Sequence, residues 1–148
     1  MKKLIGVIGS STADKRIYQL AFRVGELIAE ARAVLVCGGL KGVMEAVCKG
    51  AKSKEGTTIG ILPGLDTADA NIWVDYPIVT GLGHGRNIVI INTSESLIAI
   101  ASGYGTLSEI AFALASGKKV YGLDTWDIEG VVVCDTPEIA VSNALINI

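Results

Sequence analysis

Apolar residues recur along this chain in two alternating textures: short unbroken runs rich in Val and Ile, and longer stretches in which they return every third or fourth position. The first texture is that of a strand buried on both faces of a parallel sheet, the second that of a helix with one face on a core. Residues 4–8, 33–37, 57–62, 76–79, 96–101, 119–123 and 131–134 read as strands. Between them, Ile17, Leu20, Ala21, Val24, Leu27, Ile28 and Ala31 mark a helix starting near Asp14, and Val43, Met44, Ala46, Val47 and Ala51 a second. Residues 88–92 read as a third helix and 106–116 as a fourth, with Gly117 placed to end it and Lys118 and Lys119 at its negative pole. Thr136-Pro137-Glu138 opens a last helix with proline at its first position, running to the C-terminus. Pro77 cannot donate to a ladder, so 76–79 belongs at a sheet edge or a strand start. The alternation predicts an α/β fold, a doubly wound parallel sheet of about six or seven strands with helices on both faces and right-handed crossovers. At 148 residues the chain is expected to form a single domain, 1–148, too short for two cores.

Ligands of such sheets lie outside the carboxyl ends of the strands, so the chemistry is sought in the strand-to-helix turns. Four stand out. Gly9-Ser10 follows the first strand, Gly38-Gly39 the second, Arg86-Asn87 sits in the glycine-rich Gly81-Leu-Gly-His-Gly-Arg-Asn87, and Gly103-Tyr104-Gly105-Thr106 follows the fifth strand. A glycine-broken turn entering a helix aims unpaired N–H groups and the positive helix pole at whatever sits there, and phosphate suits that environment. Gly38-Gly39 has neither the Walker A ending nor dinucleotide-fold spacing; it serves either as an anion cradle or for tight packing. Thr106-x-x-Glu109 also fits a capping box, in which each residue satisfies the other's backbone N–H. Arg86 offers a planar fork for phosphate, against the alternative of a surface ion pair. Glu109 is a hydrogen-bond acceptor or water activator if it is not the cap, and His84 is a candidate general base or a packing residue.

Half the residues are hydrophobic and only 19% charged, a small polar surface that suggests burial between subunits as a homodimer or homotetramer. A net charge of −2 leaves no basic field for a polynucleotide. No apolar run approaches membrane-spanning length, so no membrane partner is expected. Cys37, Cys48 and Cys134 are odd in number and widely spaced, with one histidine to help them, which points to reduced buried thiols in a cytoplasmic protein and to no metal site.

The segments Cys37-Gly-Gly-Leu-Lys-Gly-Val-Met-Glu-Ala-Val-Cys-Lys-Gly-Ala51, Ile61-Leu-Pro-Gly64, Gly85-Arg-Asn87 and Gly103-Tyr-Gly-Thr-Leu-Ser-Glu109 together resemble the LOG family, once labelled "possible lysine decarboxylase", with its G-G-G-x-x-G-x-M and P-G-G-x-G-T-x-x-E motifs. The resemblance covers nearly the whole chain in the same order. It implies a Rossmann-like homo-oligomer whose best-known members hydrolyse the N-glycosidic bond of cytokinin riboside 5′-monophosphates or AMP. The arginine and glutamate credited with catalysis there fall on Arg86 and Glu109. The signature's Pro-Gly is Ala101-Ser102 here, and a glutamate and a lysine that flank the family arginine are missing from Gly83-His-Gly-Arg-Asn87. That form is more similar to the branch containing the molybdenum cofactor carrier protein. Pyridoxal-type decarboxylation needs a cofactor-bound lysine with a pyridinium partner, and no lysine here sits in such a context, so a lysine decarboxylase is not expected. The expectation is therefore carrier-like binding of a small phosphorylated molecule, a nucleotide or the molybdenum cofactor, with no cofactor required. The alternative is a nucleoside 5′-monophosphate phosphoribohydrolase.

Overall fold

In the computed structural model, which describes residues 1–146, the elements follow one another as β1 (Leu4–Gly9), α1 (Lys15–Glu30), β2 (Val34–Cys37), α2 (Val43–Ser53), β3 (Thr57–Leu62), β4 (Tyr76–Val79), α3 (Arg86–Thr93), β5 (Ser96–Ile100), α4 (Tyr104–Ala115), β6 (Val120–Leu123), β7 (Val131–Val133) and α5 (Pro137–Ile146). The expected helix through the C-terminal pair 147–148 lies outside the described residues. All seven strands are parallel in the order β4-β3-β2-β1-β5-β6-β7. This is the doubly wound, Rossmann-like sheet expected from the alternation of textures, and Pro77 lies in the edge strand β4. The β3–β4 and β6–β7 links contain no α-helix.

The sheet separates two apolar clusters. One joins Ile5, Val7, Leu35 and Ile98 to α1, α2 and α5; the other joins Ile8, Val36, Leu97 and Ala99 to α3 and α4. Alternate residues of β1 and β5 thus serve opposite faces, which is why these strands read as continuous apolar runs. Helix α1 starts where Asp14 accepts the Ile17 N–H at 2.8 Å, a side-chain N-cap. Its backbone meets that of α2 closely: a Cβ on Gly25 would stand 2.0 Å from the Val47 carbonyl oxygen, and one on Gly50 1.9 Å from that of Phe22.

Winding begins twice before the expected point. The Gly83–Gly85 3-10 turn runs straight into α3, so Arg86 and Asn87 are helical. Strand β5 stops at Ile100 because Ala101 turns into the left-handed region (φ 65°), and Gly103, in extended conformation, becomes the N-cap of α4. Its carbonyl accepts the Leu107 N–H at 3.0 Å. Thr106 is therefore inside the first turn, and the capping box suggested by Thr106 and Glu109 does not form: glycine caps this helix without a side-chain bond.

Candidate functional site

Strands β1 and β5 are neighbours whose following chains depart in opposite directions, towards α1 and β2 on one side and towards α4 and β6 on the other. This is the topological switch point of the sheet, where a crevice is expected. A cavity of about 560 Å³ opens there. Its walls include Gly9 and Ser10 after β1, Gly38, Leu40 and Met44 around the start of α2, and Gly103, Tyr104, Gly105, Thr106 and Glu109 of the β5–α4 junction. Helix α3 adds Arg86, Asn87 and Ile90, and His84 and Pro63 complete the rim. Every sequence-level candidate except Gly39 lines this one space.

Gly39 turns away. With φ at 75° it passes its N–H to Cys37 Sγ (3.4 Å), while its carbonyl accepts from the backbone and side chain of Asn71. It shapes the β2–α2 turn and stands outside the residues that line the cavity. Gly38 contributes differently from a cradle as well: its carbonyl accepts Arg86 Nη2 at 3.3 Å, and a Cβ there would stand 2.6 Å from that nitrogen. Glycine is required so that the guanidinium can approach.

Arg86 is 8% exposed and firmly held. Nε donates to the Ile61 carbonyl at 2.8 Å, Nη1 donates to Asn87 Oδ1, and Met44 Sδ lies 4.0 Å from Nη2. Among the described residues no carboxylate forms an ion pair with it, so the surface ion pair is excluded in favour of a buried cation bound to neutral acceptors. Burial pushes its pKa down, opposed by the charge of Glu109 and then by Cys37. A cation in this state has lost much of its hydration without forming an ion pair, a cost of several kcal/mol that an incoming anion would offset.

The N-terminus of α4 lines the same cavity. The first-turn N–H groups of a helix have no intrahelical acceptor, and those of Tyr104, Gly105 and Thr106 find none elsewhere among the described residues. Thr106 Oγ1 is a buried hydroxyl without a hydrogen-bond partner, in a residue only 1% exposed. Such orphans are rare in folded proteins and call for a missing partner. Tyr104, Gly105, Thr106 and Arg86 all line the same cavity.

Glu109, one turn further along α4, is 7% exposed. Burial pushes its carboxyl up to about 7, against the attraction of Arg86. A group poised there both donates and accepts protons near neutrality. His84 sits exposed on the rim.

Some features escaped the sequence reading. Trp126, in the loop after β6, donates Nε1–H to the Gly103 carbonyl at 3.1 Å and stacks on Tyr104, with ring centroids 6.1 Å apart. Asn71 is buried and holds the Gly39 and Leu40 carbonyls, fixing the β2–α2 turn. A lone Asn in a polar loop carries no local signal of such a role. Cys37 and Cys48 are reduced and buried with sulfurs 3.4 Å apart, and Cys134 is buried elsewhere. Among the described residues no helix is long and apolar enough to cross a membrane.

Known proteins resemble this chain over most or all of its length. A structure of the molybdenum cofactor binding protein of Rippkaea orientalis superposes with a TM-score of 0.92 at 38% identity, covering 99% of this chain and 98% of that one. The Moco carrier protein of Chlamydomonas reinhardtii superposes with a TM-score of 0.89 at 36% identity, covering 100% of both chains. The cytokinin riboside 5′-monophosphate phosphoribohydrolase of Mycobacterium tuberculosis is 30% identical over 128 residues, 79% of this chain and 67% of the relative. The model of the SLOG cluster4 family matches residues 2–144, and the chain belongs to that family.

Proposed function

We propose that this protein, acting as one domain over residues 1–148, binds a small phosphate-bearing ligand in the crevice at the carboxyl edge of the sheet and holds it without turnover. The ligand is a nucleotide or the molybdenum cofactor, and the setting is a cytoplasmic homo-oligomer. The observation that carries this reading is the buried guanidinium of Arg86, without an ion pair, lining the same cavity as the first turn of α4, whose N–H groups have no acceptor. Anions are the natural partners of both. The resemblance to proteins named for molybdenum cofactor binding and carriage supports the same class of ligand.

A second reading has its own support. Hydrolysis of an N-glycosidic bond needs a carboxyl group able to move protons near the sugar, and Glu109, pushed up to about 7, is such a group. The Mycobacterium tuberculosis relative is named for that reaction. The test is to incubate the purified protein with AMP and other nucleoside monophosphates, assaying free base and ribose 5-phosphate, and to measure the binding of the same ligands and of molybdenum cofactor. Binding without turnover, weakened about 100-fold or more in Arg86→Ala as expected for removing one partner of a buried charge contact, supports the carrier. Turnover that collapses in Glu109→Ala establishes the hydrolase, and failure of every phosphorylated compound to bind refutes both.

A further inference from the structure

Beside the crevice lies a pair of thiols that the phosphate reading does not use. Cys37 ends β2 and Cys48 lies in α2; both are fully buried, with their sulfurs 3.4 Å apart. The crevice is next to them in the chain. Gly38 follows Cys37, Met44 precedes Cys48 by one helical turn, and both line the cavity. The two thiols differ in character. The hydrogen bond with Cys48 pulls the Cys37 pKa down, as do the Gly39 N–H and the charge of Arg86, against the effect of burial. That same hydrogen bond and burial push Cys48 up. Cys37 is therefore the nucleophile of the pair, and Cys48 keeps its proton.

We propose that Cys37 and Cys48 are a modification site, forming a reversible disulfide when hydrogen peroxide enters by way of the crevice, and that closing this bond loosens Arg86 and weakens anion binding. The bond itself is independent of the phosphate site proposed above; its effect on affinity rests on that site. Cys37 Sγ attacks one peroxide oxygen, the O–O bond breaks, and a sulfenic acid and water result. Cys48 Sγ then attacks the Cys37 sulfur; the S–S bond forms, the S–O bond breaks, and the hydroxyl leaves as water with the Cys48 proton. Each thiol has lost one hydrogen, and the peroxide has been reduced to water. A dithiol reductant reverses the change by exchange. Because a disulfide holds its sulfurs about 2.05 Å apart, the pair must close by about 1.3 Å from its present 3.4 Å. Little slack exists to absorb that shift. Cys37 Sγ accepts the Gly39 N–H at 3.4 Å, and the intervening Gly38 gives its carbonyl to Arg86 Nη2 at 3.3 Å. A Cβ on Gly38 would stand only 2.6 Å from that nitrogen and 2.7 Å from Met44 Sδ. Close packing of this kind transmits a displacement of Cys37 to the guanidinium.

The test treats the folded full chain with hydrogen peroxide, maps its cysteines by mass spectrometry, and titrates reduced and oxidised protein with inorganic phosphate and ribose 5-phosphate by calorimetry. The expected result is a Cys37–Cys48 link with circular dichroism unchanged, and an affinity for both anions lower by about tenfold, the scale of one hydrogen bond to a charged group. Dithiothreitol restores it. In Cys48→Ala the sulfenic acid accumulates on Cys37 and is trapped by dimedone, whereas peroxide leaves the anion affinity of Cys37→Ala where it was before treatment. The wild-type cycle of oxidation and reduction needs no variant, so the test survives a failure of either substitution to fold. The inference is overturned if no link forms in the folded protein, or if the linked protein binds as the reduced one does. It is equally overturned if the loss of affinity resists dithiothreitol or appears in Cys37→Ala, which would assign it to oxidation of Met44. Absence of anion binding by the reduced protein would instead bring down the phosphate site, and with it the control of affinity, even where mass spectrometry finds the bond.

Discussion

Replacing Glu109 by Gln isolates the cost of a buried carboxylate. The side chain is 7% exposed, makes no hydrogen bond or ion pair with any described residue, and its carboxyl is pushed from an ordinary 4.5 up to about 7 by burial, with Arg86 pulling the other way. The folded protein therefore keeps a proton that the unfolded chain releases, and the contribution of this group to stability falls as pH rises between those two values. At about 1.4 kcal/mol per pH unit, roughly 3 kcal/mol present below pH 4.5 has been lost by about pH 8. Glutamine has nearly the shape of the protonated acid and no charge to bury. Glu109→Gln is thus expected to match the wild type at pH 4.5 and to be more stable by roughly 3 kcal/mol at pH 8. Urea unfolding of both proteins at the same concentration across this range gives the difference directly, with titrations common to both cancelling. A difference that stays constant with pH, or a variant less stable than wild type at pH 8, would refute the assignment of Glu109 as a carboxyl strained by burial.

Gly50→Ala drives a methyl group into the Phe22 carbonyl, 1.9 Å away, and must part α1 from α2; a loss of about 3 kcal/mol is expected by thermal or urea unfolding. Gly38→Ala puts a Cβ 2.6 Å from Arg86 Nη2 and 2.7 Å from Met44 Sδ, so ribose 5-phosphate affinity should drop about tenfold by calorimetry as the guanidinium is displaced, with secondary structure by circular dichroism unchanged. Of the apolar residues on α3 and α4, Ile90 and Ile91 are buried within the chain, whereas Ile88 and Phe112 remain exposed. The chain should sediment as a homo-oligomer, and Ile88→Glu with Phe112→Asp should shift it to a 15.4 kDa monomer.

Strand positions were legible because burial on both faces writes itself as unbroken apolar runs: 4–8 and 96–101 fall on β1 and β5. Helix starts were less so. Glycine is a weak N-cap signal compared with Thr106, so the sequence favours a start two residues after the one adopted at Tyr104. Around the crevice, Arg86 and the α4 turn were readable as types of residue at strand ends. The direction in which Gly39 points was not, since it depends on Asn71, 32 positions away. The Trp126 stack likewise arises from the way the β6–β7 loop folds back over α4, a contact that no local spacing encodes.

The two links without an α-helix leave both margins of the sheet uncovered, and an open margin is a template on which further chains can grow. At β4 the outermost strand carries Pro77, which has no N–H to offer an incoming strand. At β7 the protection is of another kind. Val131–Val133 is apolar and partly exposed, yet it spans only three residues between Gly130 and Cys134-Asp135. A ladder that short gains too few bonds to recruit a partner strand. One border thus lacks a donor and the other lacks length, so the sheet can keep its carboxyl edge open for ligand without inviting aggregation from its sides.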